Sequence, residues 1–150
     1  MTKEDAEEIA GIVAEAAPLP LRDAAYALWR RRHRLDTLEG RPTAEEIRIN
    51  RTLTPEQMTA KLRRDRDHAH DGPMFDYLKC AHPGADDGAI RQAIVTAVQF
   101  EDACFRHFEA TTAEYWQQCL QAVALARKDY PDFLEGTYQQ AANDLAYYNK

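Results

Sequence analysis

The sequence contains no serine, only three cysteines and six glycines, and no run of about 18 apolar residues. Without serine the chain cannot use a serine nucleophile, and its scattered glycines form no phosphate-binding loop. An odd number of cysteines is not typical of a disulfide framework and favours a reducing, cytoplasmic location. The lack of a long apolar run predicts no membrane span, and the acidic start of the chain does not look like a secretory signal.

The composition is that of a globular protein, with 150 residues, of which 45% are hydrophobic and 29% are charged. A chain of this length can bury a core without disulfides or a metal, and the sequence calls for no cofactor. Alternating strand patterns are missing, whereas apolar residues recur at helical spacing along most of the chain. We therefore expect an all-α fold, a compact single-domain bundle of six to eight helices spanning residues 1–150.

Helix starts are marked by capping signals at Thr2 with Asp5, Thr43 with Glu46, Thr54 with Gln57, Asp86 or Asp87, and Thr111 with Glu114. Short connections between the later helices predict antiparallel neighbours. The expected arrangement has N-terminal helices 3–70 packing on a C-terminal antiparallel core, residues 73–148.

Charge is distributed unevenly along the chain. Residues 1–21 carry one basic and five acidic groups, a net charge of −4, whereas residues 22–66 carry twelve basic and seven acidic groups, a net charge of +5. The basic segment can lie against the acidic parts of the same chain, or it can bind an acidic partner. The sequence does not decide between these alternatives.

Two opposite charges fall within predicted apolar stripes. At 100° per residue, Glu101 lies among Ile90, Ala97 and Phe108 on the longest predicted helix, and Arg32 lies among the leucines of an earlier helix. A charge in a helical core must be paired, neutralised or part of a site. We expect a buried ion pair between Glu101 and Arg32, with Arg127 as the alternative cation.

A metal site is a further possibility at the chain break near residue 72. Nitrogen and sulfur donors bracket the break, but their spacing is not that of a zinc finger. The competing interpretation is a solvated polar turn followed by a histidine at a helix end. The candidate ligands are His68, His70, Cys80 and His82.

Basic residues form two runs that could contact a macromolecular partner. A helix spreads consecutive residues around its whole circumference, so neither run forms a single patch. The net charge of −6 makes nucleic acid an unlikely partner and leaves a protein partner as the better expectation. The candidate contact residues are Arg30, Arg31, Arg34, Arg63 and Arg64.

No convergent catalytic motif appears, so the sequence favours a non-catalytic interaction or regulatory protein that binds a macromolecular partner through its charged surface, with a homodimer possible. One alternative is a small enzyme or ligand-binding bundle in which Glu101 and Arg32, with Cys104 or His107, surround an internal pocket. The other alternative is metal binding through the four candidate ligands.

Overall fold

A computed structural model describes residues 1–41, 54–110 and 114–149. The described residues are almost entirely α-helical and include no strand, which confirms the all-α prediction. The predicted caps at Thr43 and Thr111 lie outside the described residues. The eight described α-helices are α1 (Lys3–Ala16), α2 (Leu21–Trp29), α3 (Arg32–Leu38), α4 (Pro55–Asp67), α5 (Pro73–Ala81), α6 (Asp87–Ala110), α7 (Tyr115–Asp129) and α8 (Glu135–Tyr148).

The predicted helix starts within the described residues are confirmed by their hydrogen bonds. The Thr2 hydroxyl accepts from the Asp5 amide at 3.1 Å, and the Asp5 carboxylate accepts from the Thr2 amide at 3.1 Å. Thr54 and Gln57 make the same reciprocal pair at the start of α4. Each of these capping boxes satisfies amide groups that have no partner within the helix.

Two compact units make up the chain, Met1–Val95 and Thr96–Lys150, and α6 contributes to both. In the first unit, α1 packs on α2, α3 and α5, while α2 also packs on α5. A single 3-10 turn, Ala69–Asp71, joins α4 to α5. The prediction that residues 3–70 pack as one layer on residues 73–148 stays a prediction.

The first unit buries a core of aliphatic side chains. Leu28, Leu35 and Leu78 are completely inaccessible to solvent. Each such side chain contributes about 1.5 to 3 kcal/mol relative to an exposed one. These contacts fix α1, α2, α3 and α5 as one body.

The predicted continuous helix from Leu21 to Gly40 is wrong, because it breaks at the arginine run. Arg31 has φ −98° and ψ 10°, and its amide donates to the Leu28 carbonyl three residues back, so the last turn of α2 tightens. A new helix, α3, starts at Arg32. The predicted stop is confirmed, because Gly40 takes a φ of +72°, a left-handed conformation that glycine adopts at little cost.

The buried side of α1 also differs from the predicted stripe of Ala6, Ile9, Val13 and Ala16. Ile12 and Ala16 are buried, Ile9 and Val13 are half-buried, and Ala6 is exposed. The predicted stripe is apolar, but the neighbouring helices contact the helix on one edge of it. Part of the apolar surface of α1 is therefore left facing outward.

The second unit is built around Phe100, which is completely buried. Its ring centroid lies 4.8 Å from that of Phe133 and 5.6 Å from that of Tyr138, the latter in an edge-to-face arrangement. The Tyr138 hydroxyl accepts from the Phe133 amide at 3.2 Å and donates to the Tyr130 carbonyl. This aromatic cluster holds the turn between α7 and α8 against the end of α6 that belongs to the same unit.

Candidate functional site

Glu101 is buried, with only 6% of its surface exposed, in keeping with its place in the apolar stripe of α6. One turn further along, Cys104 is 2% exposed. Burial raises the pKa of the Cys104 thiol to about 12, and the nearby Glu101 carboxylate adds to this rise. Because the reactive species is the thiolate, Cys104 is a poor nucleophile at neutral pH.

Arg32 is half-buried at the first residue of α3. Its Nη1 donates to the Trp29 carbonyl at 3.0 Å, and its Cζ lies 4.1 Å from the centroid of the Trp29 ring. This cation–π contact covers the end of α2. Arg32 belongs to the first unit and Glu101 to the second, and their pairing stays a prediction of the sequence.

Arg127 does not have the buried environment that the sequence allowed for it. Its side chain is 43% exposed, its Nη2 lies 2.5 Å from Glu135 Oε1, and its Cζ lies 4.3 Å from the centroid of the Tyr138 ring. The hydrogen bond from Arg127 lowers the pKa of Glu135. The correction follows from the position of Arg127 in the last turn of α7, where its long stem lies along the aromatic ring and its head reaches solvent.

A buried carboxylate that the sequence analysis missed lies at Asp23, which is 1% exposed in the first turn of α2. Buried residues lie on both sides of this helix, including Ala24, Ala25 and Leu28. The stripe analysis assigned α2 a single buried face, so Asp23 was placed on a solvated one. A short helix enclosed by several neighbours buries positions that its periodicity does not mark.

The candidate metal ligands are each placed in a different local environment. The rings of His68 and His70 have centroids 6.3 Å apart, and His70 Nε2 lies 3.1 Å from the Asp71 carboxylate. His82 Nε2 lies 2.9 Å from the Leu19 carbonyl oxygen, while the Cys80 side chain is exposed. In the part of the chain that the structure describes, no three histidine, cysteine or acidic side chains are placed to hold one metal ion.

The first basic run makes contacts within its own unit. Arg34 forms two hydrogen bonds with Glu8, and Arg31 Nη1 lies 3.9 Å from Glu15 Oε2. These contacts join the arginine run to the acidic helix α1. The charge asymmetry along the sequence is thus partly satisfied inside the first unit.

Arg63 and Arg64, the remaining candidate contact residues, are both exposed on α4. Met58 is 8% exposed on the same helix, and Arg66 Cζ lies 5.3 Å from the centroid of the Trp29 ring. With Met58 at 0° on the helix, Arg66 lies at 80°, Arg63 at 140° and Arg64 at 240°. One side of α4 therefore attaches to the unit and the other side presents the two arginines.

Tyr77 is the centre of a polar network between α5 and the end of α3. Its hydroxyl accepts from Arg41 Nη2 at 2.7 Å and donates to Glu39 Oε1 at 3.1 Å. Arg41 Nε also donates to Asp36 Oδ1 at 3.0 Å. Burial is the largest cause of the raised pKa of Tyr77. The sequence analysis had no signal for this network because its members are up to 41 positions apart.

An open groove of about 500 Å³ lies between α1 and α5. Its lining is mostly the small apolar side chains of α1, including Ala6, Ala10 and Ala14. Asp76, Tyr77 and Cys80 contribute the α5 side. This groove is the largest departure from the sequence analysis, which treated α1 as a helix with a single covered stripe.

Comparison with protein-family models, with curated proteins and with solved structures gives no match for this chain. Among the described helices, none combines the length and the apolar character needed to cross a bilayer.

Proposed function

We propose that this chain is a non-catalytic interaction protein that binds a protein partner through a charged surface, namely the outward side of α4 with Arg63 and Arg64. The observation that carries the proposal is the difference between the two basic runs. The first run contacts α1 of the same chain, whereas the second run faces solvent.

The attachment of α4 supports this role. Met58 and the Arg66–Trp29 contact hold one side of the helix, and Leu62, which is 40% exposed, lies between them on the helical wheel. A helix whose other positions are polar and exposed gains little stability from packing. Two adjacent arginines on such a side would attract and orient an acidic partner.

A reducing compartment, the cytoplasm, is part of the same proposal. The three cysteines are free thiols, and two of them are buried. Free thiols persist where glutathione and thioredoxin keep them reduced.

The test is affinity capture from cells with the wild-type chain and with a double charge-reversal variant, Arg63→Glu with Arg64→Glu. The matched control is Arg106→Glu with Lys128→Glu, which changes the net charge equally at exposed positions of α6 and α7. The proposal predicts one specific protein partner that the control variant still captures and that the Arg63/Arg64 variant loses. Equal capture by both variants, or no specific partner, would overturn it.

A further inference from the structure

The groove between α1 and α5 exposes apolar surface that the first unit does not cover. Ala6, Ala10, Ala14 and Ala17 are all exposed and all line the groove, whereas Ile12 and Ala16 of the same helix are buried. At 100° per residue the four exposed alanines fall within 80° of one another. They form a narrow, continuous strip along the whole length of α1.

The shape of this strip suits a helical occupant. Alanine side chains are short, so the backbone of a second helix can approach α1 closely along the strip. Tyr77 and Cys80 on α5 form the opposite wall. A helix placed in the groove would bury apolar residues at spacings of three and four positions against both walls.

The charge at the groove indicates the chemistry of that helix. Asp76 is the ionised side chain among the lining residues, and Glu7 follows Ala6 on α1. Both carboxylates are exposed and neither forms an ion pair within the part of the chain that the structure describes. Glu8 and Glu15, by contrast, contact arginines of the same unit.

We propose that the α1–α5 groove, defined by the alanine strip, Asp76 and Cys80, binds an amphipathic helix of a partner protein whose apolar stripe is flanked by lysine or arginine. The flanking cations would contact Asp76 and Glu7. A second copy of α1, with five acidic residues and one lysine, would bring like charges together and is the disfavoured occupant.

Cys80 provides a reporter for the test, because it is exposed at the groove while Cys104 and Cys119 are buried. The probe is an 18-residue synthetic helix with a leucine and alanine stripe flanked by lysines, compared with the same peptide carrying glutamates instead. The rate of Cys80 alkylation by iodoacetamide is measured with each peptide. At a peptide concentration about ten times its dissociation constant, the lysine peptide should slow alkylation about tenfold.

Two variants separate groove binding from general attraction of a basic peptide to an acidic protein. Ala10→Gln places a polar side chain in the groove without changing the net charge, and Ala124→Gln makes the same change at an exposed position of α7. Ala10→Gln should abolish the protection of Cys80, and Ala124→Gln should retain it. Equal protection by both peptides, or protection unaffected by Ala10→Gln, would overturn the proposal.

A third outcome identifies self-association. If Cys80 becomes protected as the concentration of the protein itself rises, without peptide, the groove binds a second copy and the proposal is wrong. The groove is separate from the α4 surface, so the Arg63/Arg64 variant should keep its peptide protection. Failure at either surface therefore leaves the test of the other surface intact.

Discussion

Arg34 and Glu8 form a two-pronged ion pair between α3 and α1, although they are 26 positions apart in the chain. Arg34 Nε donates to Glu8 Oε1 at 3.1 Å and Nη2 donates to Oε2 at 2.6 Å. Parallel bonds of this kind define orientation as well as attraction. They show that part of the basic segment is used to position the acidic N-terminal helix.

Reversing one charge of this pair should lower the urea midpoint of unfolding, and reversing both should restore most of it. The variants are Glu8→Arg, Arg34→Glu and the double variant. Both side chains are partly exposed, so the effect should be modest and should shrink as salt is added. A double variant no more stable than the sum of the single changes would show that the two residues are not coupled.

Replacing Tyr77 with phenylalanine should cost about 1 to 2 kcal/mol of unfolding free energy, because the hydroxyl bridges Arg41 and Glu39. Tyr147→Phe, at an exposed position, is the control and should change stability by less than about 0.5 kcal/mol. Denaturant titration at neutral pH measures both variants. An unchanged stability in Tyr77→Phe would contradict the network.

The same variant should respond to alkaline pH in a defined direction. The pKa of Tyr77 is raised in the folded state above its ordinary value of 10.0, so its contribution to stability is complete below about pH 10. That contribution is lost as the pH rises through the folded-state pKa. The stability difference between wild type and Tyr77→Phe should therefore narrow above pH 10.

One thiol should react rapidly in the folded protein. Cys80 is exposed, whereas Cys104 and Cys119 are buried and burial raises the pKa of both thiols. With a disulfide reagent at pH 8, we expect one fast equivalent in the native state and three in denaturant, with Cys80→Ala removing the fast one. Two or three fast equivalents in the native state would contradict the described burial.

The predicted pairing of Glu101 with Arg32 can be measured by a double-mutant cycle. Loss of one partner from a buried pair should cost about 3 to 5 kcal/mol, and the double change should cost less than the sum. The variants are Glu101→Gln, Arg32→Gln and both together, with Glu109→Gln as an exposed control on α6. Additive single effects would show that Glu101 is buried without Arg32 as its partner.

Local features of the fold could be predicted from the sequence because their causes are local. Thr2 and Thr54 mark helix starts through bonds to residues three positions away, and Gly40 marks a stop through its own backbone conformation. The burial of Glu101 follows from the periodicity of one uninterrupted helix. Each of these predictions depends on a few neighbouring residues.

Features that depend on the arrangement of separate helices could not be predicted in the same way. The periodic argument for Arg32 assumed that the helix continued through Arg31, where it ends. Asp23 is buried because several helices surround α2, and the groove exists because α5 covers only part of α1. Local periodicity describes one helix and does not state how much of each face its neighbours cover.

The central claim is that Arg63 and Arg64 on α4 bind the partner by charge. Its most direct test is the dissociation constant of the captured partner, measured by titration calorimetry from low to high salt with wild type and with the Arg63→Glu/Arg64→Glu variant. We predict that wild-type binding weakens steadily with added salt and that the variant binds weakly at every salt concentration. Salt-independent binding, or equal affinities for the two proteins, would contradict the account.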